Sequence, residues 1–235
     1  MRPEVLLLSA EHGGNRIPAR WAHLFASRAA RAALAGHRGS DPGSLAFARF
    51  LARSLGAPLV ATTTSRLLVE VNRSPGHPRL WSEWTRDLDP DDRRAILAAH
   101  YEPHRRAVED GVRAALARAA SVLHLSVHSF VPVLDGVART TEVGLLYDPA
   151  RGPERRFCTD LAAALRVLGP ELRVHRNRPY RGAADGLTTW LRRRFPAGRY
   201  LGVELELRQD LLAAPATRRR LEAVVRGALG QTLGR

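Results

Sequence analysis

The sequence contains no lysine, so all 37 of its basic residues are arginines. Against 23 acidic residues they give a formal net charge of +14, which suggests a polyanion such as nucleic acid as a partner. The arginines are scattered from Arg2 to Arg235 and form no single stripe. We therefore interpret them as solvated surface and expect no specific nucleic acid partner. A basic nucleic-acid-binding domain, with strongly salt-dependent binding, remains the alternative of another class.

Cysteine and long apolar runs are also scarce. The single cysteine, Cys158, excludes an internal disulfide and fits a reducing compartment. The apolar run from Val5 to Leu8 is too short for a signal-peptide core or a membrane span. We therefore expect a cytoplasmic protein without a membrane partner. The oligomeric state is not indicated.

The length and the composition of the chain fit one globular domain. The chain has 235 residues, of which 45% are hydrophobic and 26% charged, so we expect a single domain over residues 1–235. Short apolar runs alternate with segments of helical period, which predicts an α/β fold with a parallel or mixed sheet. The predicted strands are 4–9, 58–62, 67–71, 121–127, 142–147, 173–176 and 200–207. The predicted helices are 43–55, 89–120 with an interruption at Pro103, 153–168, 186–194 and 215–229.

Polar side chains follow several of the predicted strands. The first strand runs into Glu11-His12-Gly13-Gly14-Asn15, the strand at 67–71 into Asn72-Arg73, and the strand at 121–127 into His128-Ser129. Ligands of open α/β sheets bind beyond the carboxyl ends of the strands, so we expect these side chains to converge there. The two glycines would let a ligand or metal approach the backbone closely.

His12 and His128 are candidate metal ligands at two of these strand ends. With one cysteine in the chain, zinc would have to be held by imidazole and carboxylate groups. Two histidines, one carboxylate and a water molecule form the usual open catalytic arrangement. The third ligand is either Asp41 or Glu11. We favour Asp41, because the side chains of adjacent extended residues such as Glu11 and His12 face opposite ways.

Other histidines receive different interpretations. His124 lies inside an apolar run and is expected to be a hydrogen-bonded core residue. His100 and His104 have the spacing of a helical metal pair, but Pro103 separates them and no glutamate accompanies them. We interpret both as surface or packing residues.

Glu204 and Glu206 lie two residues apart in the last predicted strand, so both face the same side of the sheet. A glutamate near metal-bound water is what a hydrolase needs as a general base, whereas an edge strand with a solvated face is the structural alternative. Among the arginines, Arg66, Arg73 and Arg181 are set apart from the surface population, and either Arg73 or Arg181 could bind a substrate carboxylate.

Taken together, these motifs resemble the N-formylglutamate amidohydrolase family over roughly residues 5–209. The resemblance is carried by residues 9–18, Asp41, residues 69–74, residues 126–130, residues 177–182 and Glu204-Leu205-Glu206. It implies a fold similar to zinc carboxypeptidases and aspartoacylase, a three-layer α/β/α sandwich with a mixed, mostly parallel sheet. The zinc peptidases keep their first histidine and acidic ligand in one short motif, whereas residues 13–15 here are Gly-Gly-Asn. Both the choice of Asp41 over Glu11 and that of Glu206 over Glu204 therefore stay open.

The resemblance also implies the site and the reaction. The zinc carboxypeptidases and aspartoacylase use, in chain order, a histidine ligand, a carboxylate ligand, an asparagine-arginine pair for the substrate carboxylate, a second histidine ligand and a late glutamate base. The corresponding residues here are His12, Asp41, Asn72-Arg73, His128 and Glu206. One zinc ion per chain would lower the pKa of its water to about 7, and Glu206 would take the proton. Arg73 or Arg66 would stabilise the oxyanion, and Arg181 or Arg73 would hold the carboxylate.

The same motifs add Ser129 and Tyr180 as candidate substrate-binding residues. The substrate implied is N-formyl-L-glutamate, which would be cut to formate and glutamate in histidine degradation. A metallo-amidase or peptidase acting on a different N-acyl amino acid or peptide terminus is the alternative within the hydrolases.

Overall fold

The computed structural model describes residues 3–234. The strands are β1 Val5–Ala10, β2 Leu59–Ala61, β3 Val122–Phe130, β4 Val133–Leu134, β5 Val137–Ala138, β6 Val143–Leu146, β7 Val174–Arg176 and β8 Tyr200–Arg208. The α-helices are α1 Arg28–Ala35, α2 Ser44–Leu55, α3 Pro90–Ile96, α4 Glu102–Leu116, α5 Gly152–Leu168, α6 Leu187–Arg192, α7 Gln209–Ala213 and α8 Pro215–Leu233. A 3-10 helix covers Ala19–Phe25 and a π-helical turn covers Leu97–Tyr101.

Six strands form one mixed sheet in the order β2-β1-β3-β8-β6-β7. Neighbouring strands are parallel except β8 and β6, which are antiparallel. This confirms the mixed, mostly parallel sheet. Because β8 lies between β3 and β6, Glu204 and Glu206 are not on an edge strand.

Helices cover both faces of the sheet, which gives the three layers. Side chains alternate along each strand, so every strand contributes to both faces. The apolar side chains on one face pack against α2, α5 and α8 and include Leu123, Leu125 and Val127 of β3. The opposite face packs against α4 and α6. By the same alternation this second face carries three polar residues of β3, His124, Ser126 and His128.

The strand predicted at 67–71 is wrong. These residues form turns, in which the Leu68 N–H donates to the Ser65 carbonyl and the Arg73 N–H donates to the Glu70 carbonyl. The apolar side chains of this segment are buried in a cluster of their own, together with Trp21 and other residues outside the sheet. A short apolar run has the same pattern in a strand and in a buried turn, since it is too short to show a period.

The helix predicted at 89–120 is interrupted next to Pro103, but by a π-helical turn and not by a gap between two helices. α3, the π-helical turn and α4 follow one another without a break, and Pro103 lies in the first turn of α4. Within a continuous helix a proline removes one backbone hydrogen bond, and the turn directly before Pro103 has π-helical bonding, in which the Glu102 N–H donates to the Leu97 carbonyl, in place of the regular α-helical pattern. The remaining predicted strands and helices correspond to β1, β2, β3, β6, β7, β8, α2, α5, α6 and α8. The short elements α1, α7, β4 and β5 were not predicted.

Within residues 3–234, no helix is both long enough and apolar enough to cross a lipid bilayer.

Candidate metal centre and active site

The cluster of His12, Asp41 and His128 lies at the carboxyl ends of β1 and β3. His12 follows β1, His128 belongs to β3, and Asp41 comes from the loop that leads into α2. A backbone hydrogen bond of 2.9 Å from the Asp41 N–H to the His12 carbonyl ties the loop to the end of β1. The parallel pairing of β1 with β3 therefore brings together side chains that are far apart in sequence.

The three side chains are buried and converge on one point. Asp41 Oδ2 lies 3.2 Å from His12 Nδ1 and 3.0 Å from His128 Nδ1. One ligand atom from each residue lies within 4.8 Å of the others, so the three could hold a metal ion. Of the two acidic candidates from the sequence, it is Asp41 that shares this point with both histidines.

The opposite nitrogen of each imidazole is held by a carboxylate. His12 Nε2 lies 2.5 Å from Glu70 Oε1, and His128 Nε2 lies 3.2 Å from Glu11 Oε2 and 2.8 Å from Ser126 Oγ. A carboxylate that accepts the Nε2–H fixes the proton there and leaves the Nδ1 lone pair free for a cation. Imidazoles in metal sites are oriented in this way, so the residues present fit a bound metal.

Glu11 lies on the far side of His128 from Asp41. Its carboxylate is fully buried and accepts a hydrogen bond of 2.5 Å from the Ser126 hydroxyl. Burial opposes its charged form, but contacts with His104 and His128 hold the pKa of Glu11 well below its usual value. The geometry gives Glu11 the position of a support for His128 and not of a ligand.

The electrostatics of the cluster favour positive charge on the two imidazoles. Burial acts to lower the pKa of His12, but the carboxylates of Glu70 and Asp41 outweigh it and raise the pKa. Burial also opposes the protonation of His128, yet hydrogen bonds to Asp41 and Glu11 raise its pKa well above the usual value. A divalent cation would take the place of these protons, since metal ligands must be deprotonated.

Arg66 joins two of the carboxylates around the cluster. Its guanidinium donates to Glu70 Oε2 at 2.6 Å and lies 3.4 Å from Asp41 Oδ1. Because Glu70 in turn holds His12, Arg66 fixes the support of one member of the cluster and contacts a second member, Asp41, directly. The Ser129 N–H, 3.3 Å from Asp41 Oδ2, adds a further contact to the same carboxylate.

Glu206 lies on β8, in register with His128 on β3. Its carboxyl group is buried, and Glu206 Oε2 finds no hydrogen-bond partner within residues 3–234. Burial raises the pKa of Glu206 to about 7. Glu204 is half-buried and accepts a hydrogen bond of 2.8 Å from the Thr188 hydroxyl. The two glutamates share a face of the sheet as predicted, but only Glu206 has a free buried oxygen beside the histidines.

Apart from Glu11, every candidate site residue named from the sequence lines one cavity of about 370 Å³. Arg73 Nη1 donates to the Asp185 carbonyl at 2.5 Å, and Asn72 Oδ1 accepts the Leu187 N–H at 2.7 Å. These two contacts attach the segment after Glu70 to the start of α6. Arg181 is exposed and forms no ion pair with any residue from 3 to 234.

Tyr180 and Ser129 lie at the same cavity with their hydroxyls already engaged. Tyr180 is 45% exposed, and its hydroxyl accepts a hydrogen bond of 2.9 Å from Arg139. The Ser129 hydroxyl donates to the Pro42 carbonyl at 2.8 Å. These contacts hold the loop before α2 and the rim of the cavity in place.

The other histidines lie outside the cluster. His124 is buried between the Ser9 hydroxyl at 2.7 Å and the Tyr200 hydroxyl at 2.8 Å, so it is the hydrogen-bonded core residue expected. His104 packs beside Glu11, and His100 is half-buried on the π-helical turn.

The role expected for Gly13 and Gly14 is corrected by the structure. A Cβ on Gly13 would come within 2.8 Å of the Thr62 carbonyl oxygen, and one on Gly14 within 2.7 Å of the Thr63 carbonyl oxygen. The missing side chains thus make room for the neighbouring backbone that follows β2, and not for a ligand.

Glu70 supports the cluster, although its sequence position did not identify it as a site residue. The signal was available, because an ionisable side chain inside the apolar run 67–71 is unusual unless it is paired. Because that run was assigned to a strand, the buried glutamate was not interpreted as part of a site. Glu11 was considered only as a ligand, and its position behind His128 could not be read from the sequence.

We expect the Glu70→Gln substitution to weaken metal binding by about 10-fold to 100-fold, because such supporting carboxylates orient the ligand and raise its basicity. Metal affinity can be measured by competition with a chromophoric chelator. Glu83→Gln is the matched control, since Glu83 is an exposed glutamate that pairs with Arg38 at 2.6 Å outside the cluster. Equal affinity in Glu70→Gln and the wild type would contradict the support assigned to Glu70.

A ligand set of this kind beside a buried carboxylate of raised pKa is suited to activating water, and fold and site together define the chain as a hydrolase. The sequence model of the N-formylglutamate amidohydrolase family matches residues 5–213, so the chain belongs to this family and acts on amide bonds. The resemblance inferred from the sequence is confirmed.

Solved structures share the fold. A gene product of Agrobacterium tumefaciens is 32% identical with a TM-score of 0.81, and the alignment covers 99% of this chain and 92% of that one. The N-formylglutamate amidohydrolase of Ralstonia eutropha JMP134 is 20% identical with a TM-score of 0.70, over 100% of this chain and 93% of that one. No curated protein matches the chain significantly.

Proposed function

We propose that this chain is a zinc-dependent amidohydrolase that cleaves a small N-acyl amino acid, namely N-formyl-L-glutamate, to formate and glutamate. The observation that carries the proposal is the meeting of His12, Asp41 and His128 next to the buried carboxyl group of Glu206, whose Oε2 has no hydrogen-bond partner among the described residues. Two imidazoles and one carboxylate with an open fourth position are the ligands typical of catalytic zinc. Membership of the family supports the substrate.

Different residues of the site carry out different parts of the proposed hydrolysis. His12, Asp41 and His128 would hold the zinc ion, which would supply Lewis-acid polarisation of the substrate carbonyl and acidify a water molecule. Glu206 takes a proton from the attacking water and delivers it to the leaving amine nitrogen, a transfer suited to a carboxyl group whose pKa lies near 7. Arg66 and Arg73 bring positive charge to the cavity in which the oxyanion develops.

The amino acid portion of the substrate is held on the α6 side of the cavity. Arg181 has no carboxylate partner in the described chain, so its guanidinium is free to bind the substrate carboxylate. Arg73 and Asn72 assist it from the segment attached to α6, and Tyr180 forms part of the rim. Ser129 contributes by holding Asp41 and Pro42.

The cellular setting is part of the proposal. We assign the reaction to histidine degradation in the cytoplasm, with one zinc ion per chain and the whole of residues 1–235 as one catalytic domain. The buried, unpaired Cys158 fits a reducing compartment.

Metal analysis combined with a formate assay tests the proposal. We expect about one zinc ion per purified chain, release of formate from N-formyl-L-glutamate, loss of activity with a chelator and recovery on adding zinc. A panel of other N-acyl amino acids distinguishes this substrate from its relatives. Absence of bound metal together with absence of hydrolysis across the panel would refute the proposal.

A further inference from the structure

A second cavity adjoins the catalytic one and has no role in the chemistry described above. It has a volume of about 470 Å³ and shares Arg66 and Arg79 with the catalytic cavity. Leu67, Pro78 and Trp81 supply apolar wall, and Arg86 lies on its rim. A formyl group contains one carbon atom and cannot extend into such a space.

The second cavity has an excess of positive charge. Its two acidic residues are already paired, Glu70 with His12 and Arg66, and Glu83 with Arg38. Arg79 and Arg86 remain. Arg79 forms no ion pair within the described residues 3–234, and Arg86 lies 3.4 Å from its exposed neighbour Asp87, a contact that solvent screens. A cavity lined by two such arginines together with apolar side chains is suited to a chain that ends in a carboxylate.

The position of the second cavity indicates which part of the substrate would reach it, the acyl group or the amino acid. Arg181, assigned to the substrate carboxylate, lines only the catalytic cavity, together with Arg73. The second cavity begins at Arg66 and Glu70, next to Asp41, and does not include Arg73 or Arg181. A substrate held by Arg181 would therefore direct its acyl group, and not its amino acid, toward Arg79.

We propose that Arg79 and Arg86 form a subsite for a carboxylate at the far end of a longer acyl chain, so that N-acyl amino acids with a dicarboxylic acyl group are further substrates of the same site, beside N-formyl-L-glutamate. This inference rests on the proposed function and extends it from the reaction to the substrate class. The methylene groups of the acyl chain pack along Trp81 and Leu67.

The test compares charged and neutral acyl groups on a constant L-glutamate. N-succinyl-L-glutamate and N-glutaryl-L-glutamate are each paired with the analogue in which the terminal acyl carboxylate is a primary amide. For at least one pair we expect kcat/KM to favour the carboxylate by about 10-fold, and this preference to fall with rising salt. Arg86→Gln should reduce the ratio, and the Arg79→Gln/Arg86→Gln double variant should bring it close to one.

Arg226→Gln is the matched control, because it removes an exposed arginine of α8 that lines neither cavity. The ratio should keep its wild-type value in this variant. A ratio near one in the wild-type protein for both acyl lengths, or a ratio that Arg86→Gln and the double variant leave unchanged, would overturn the subsite.

Calorimetric binding to the metal-loaded Glu206→Gln protein separates this inference from the proposed function. The dissociation constants of the same paired compounds should differ by the same factor without any turnover. If the binding preference persists while no N-acyl-L-glutamate is hydrolysed by the wild type, the subsite stands and the proposed function fails. If N-formyl-L-glutamate is hydrolysed but the dissociation constants are equal within each pair, the proposed function stands and the subsite fails.

Discussion

Replacing His128 by alanine is expected to abolish binding of the proposed zinc ion and to lower kcat/KM by a factor of about 1,000 or more. Two ligands would remain, His12 and Asp41, and two ligands hold a catalytic zinc ion poorly. Polarisation of the carbonyl by a metal ion is worth several kcal/mol, and each 1.36 kcal/mol changes the rate tenfold. Elemental analysis of the purified variant and a formate assay measure both effects.

His124→Gln is the control for the His128 substitution. His124 belongs to the same strand and faces the same side of the sheet, but its partners are Ser9 and Tyr200 and not the metal ligands. We expect His124→Gln to lower the melting temperature while keeping the metal content of the wild type. His128→Ala should instead lose the rise in melting temperature that added zinc gives to the wild type, because a ligand stabilises only the state that binds it. Full metal occupancy in His128→Ala would remove His128 from the ligand set.

The parts of this molecule that could be predicted from the sequence are those in which one local pattern decides the structure. β1, β3 and β8 have strongly apolar alternate residues, and the alternation alone places Glu204 with Glu206 on one face. Parallel pairing then implies that the residues at the ends of β1 and β3 meet. The proximity of His12 and His128 can therefore be predicted from these two rules without knowledge of how the loops fold.

The parts that could not be predicted depend on loops. The segment 67–71 is apolar because it is buried by Trp21 and its neighbours, a contact between residues more than forty positions apart that no local period encodes. Glu70 therefore received no role, although it holds His12 at 2.5 Å. The preference for Asp41 over Glu11 rested on the opposite orientation of adjacent side chains in an extended segment. In the structure Asp41 lies at His128 Nδ1, the nitrogen that faces the cluster, and Glu11 lies at His128 Nε2 on the other side of the ring.

The substitution Glu206→Gln is expected to reduce kcat by about 10²-fold to 10⁴-fold while the protein keeps its metal. Glutamine retains the shape of the side chain but cannot accept the proton of the attacking water. Since proton transfer occurs only in the transition state, kcat and kcat/KM should fall together and KM should change little. Steady-state kinetics on the metal-loaded variant, with metal content measured on the same sample, separate this outcome from the loss of a ligand.

Glu204→Gln distinguishes the two carboxylates of β8. Glu204 already accepts a hydrogen bond from Thr188 and is half-buried, whereas Glu206 Oε2 is buried without a partner among residues 3–234. We expect Glu204→Gln to lower kcat by less than about tenfold, because a carboxylate that is not the base contributes only to the field of the site. A larger loss in Glu204→Gln than in Glu206→Gln would exchange their roles.

The pH dependence of kcat/KM in the wild type gives a second test of Glu206 as the general base. The direction of this dependence follows from the burial of the carboxyl group. Burial penalises the carboxylate form and raises the pKa of Glu206 to about 7. The base must be deprotonated, so kcat/KM should fall as the pH drops through this pKa. A bound cation favours the carboxylate and would move the midpoint below 7, in the direction opposite to burial. The acid limb of the profile should therefore have its midpoint at or below 7 in the wild type and be absent from the residual activity of Glu206→Gln. An acid limb unchanged in that variant would assign the ionisation to another group and remove Glu206 as the base.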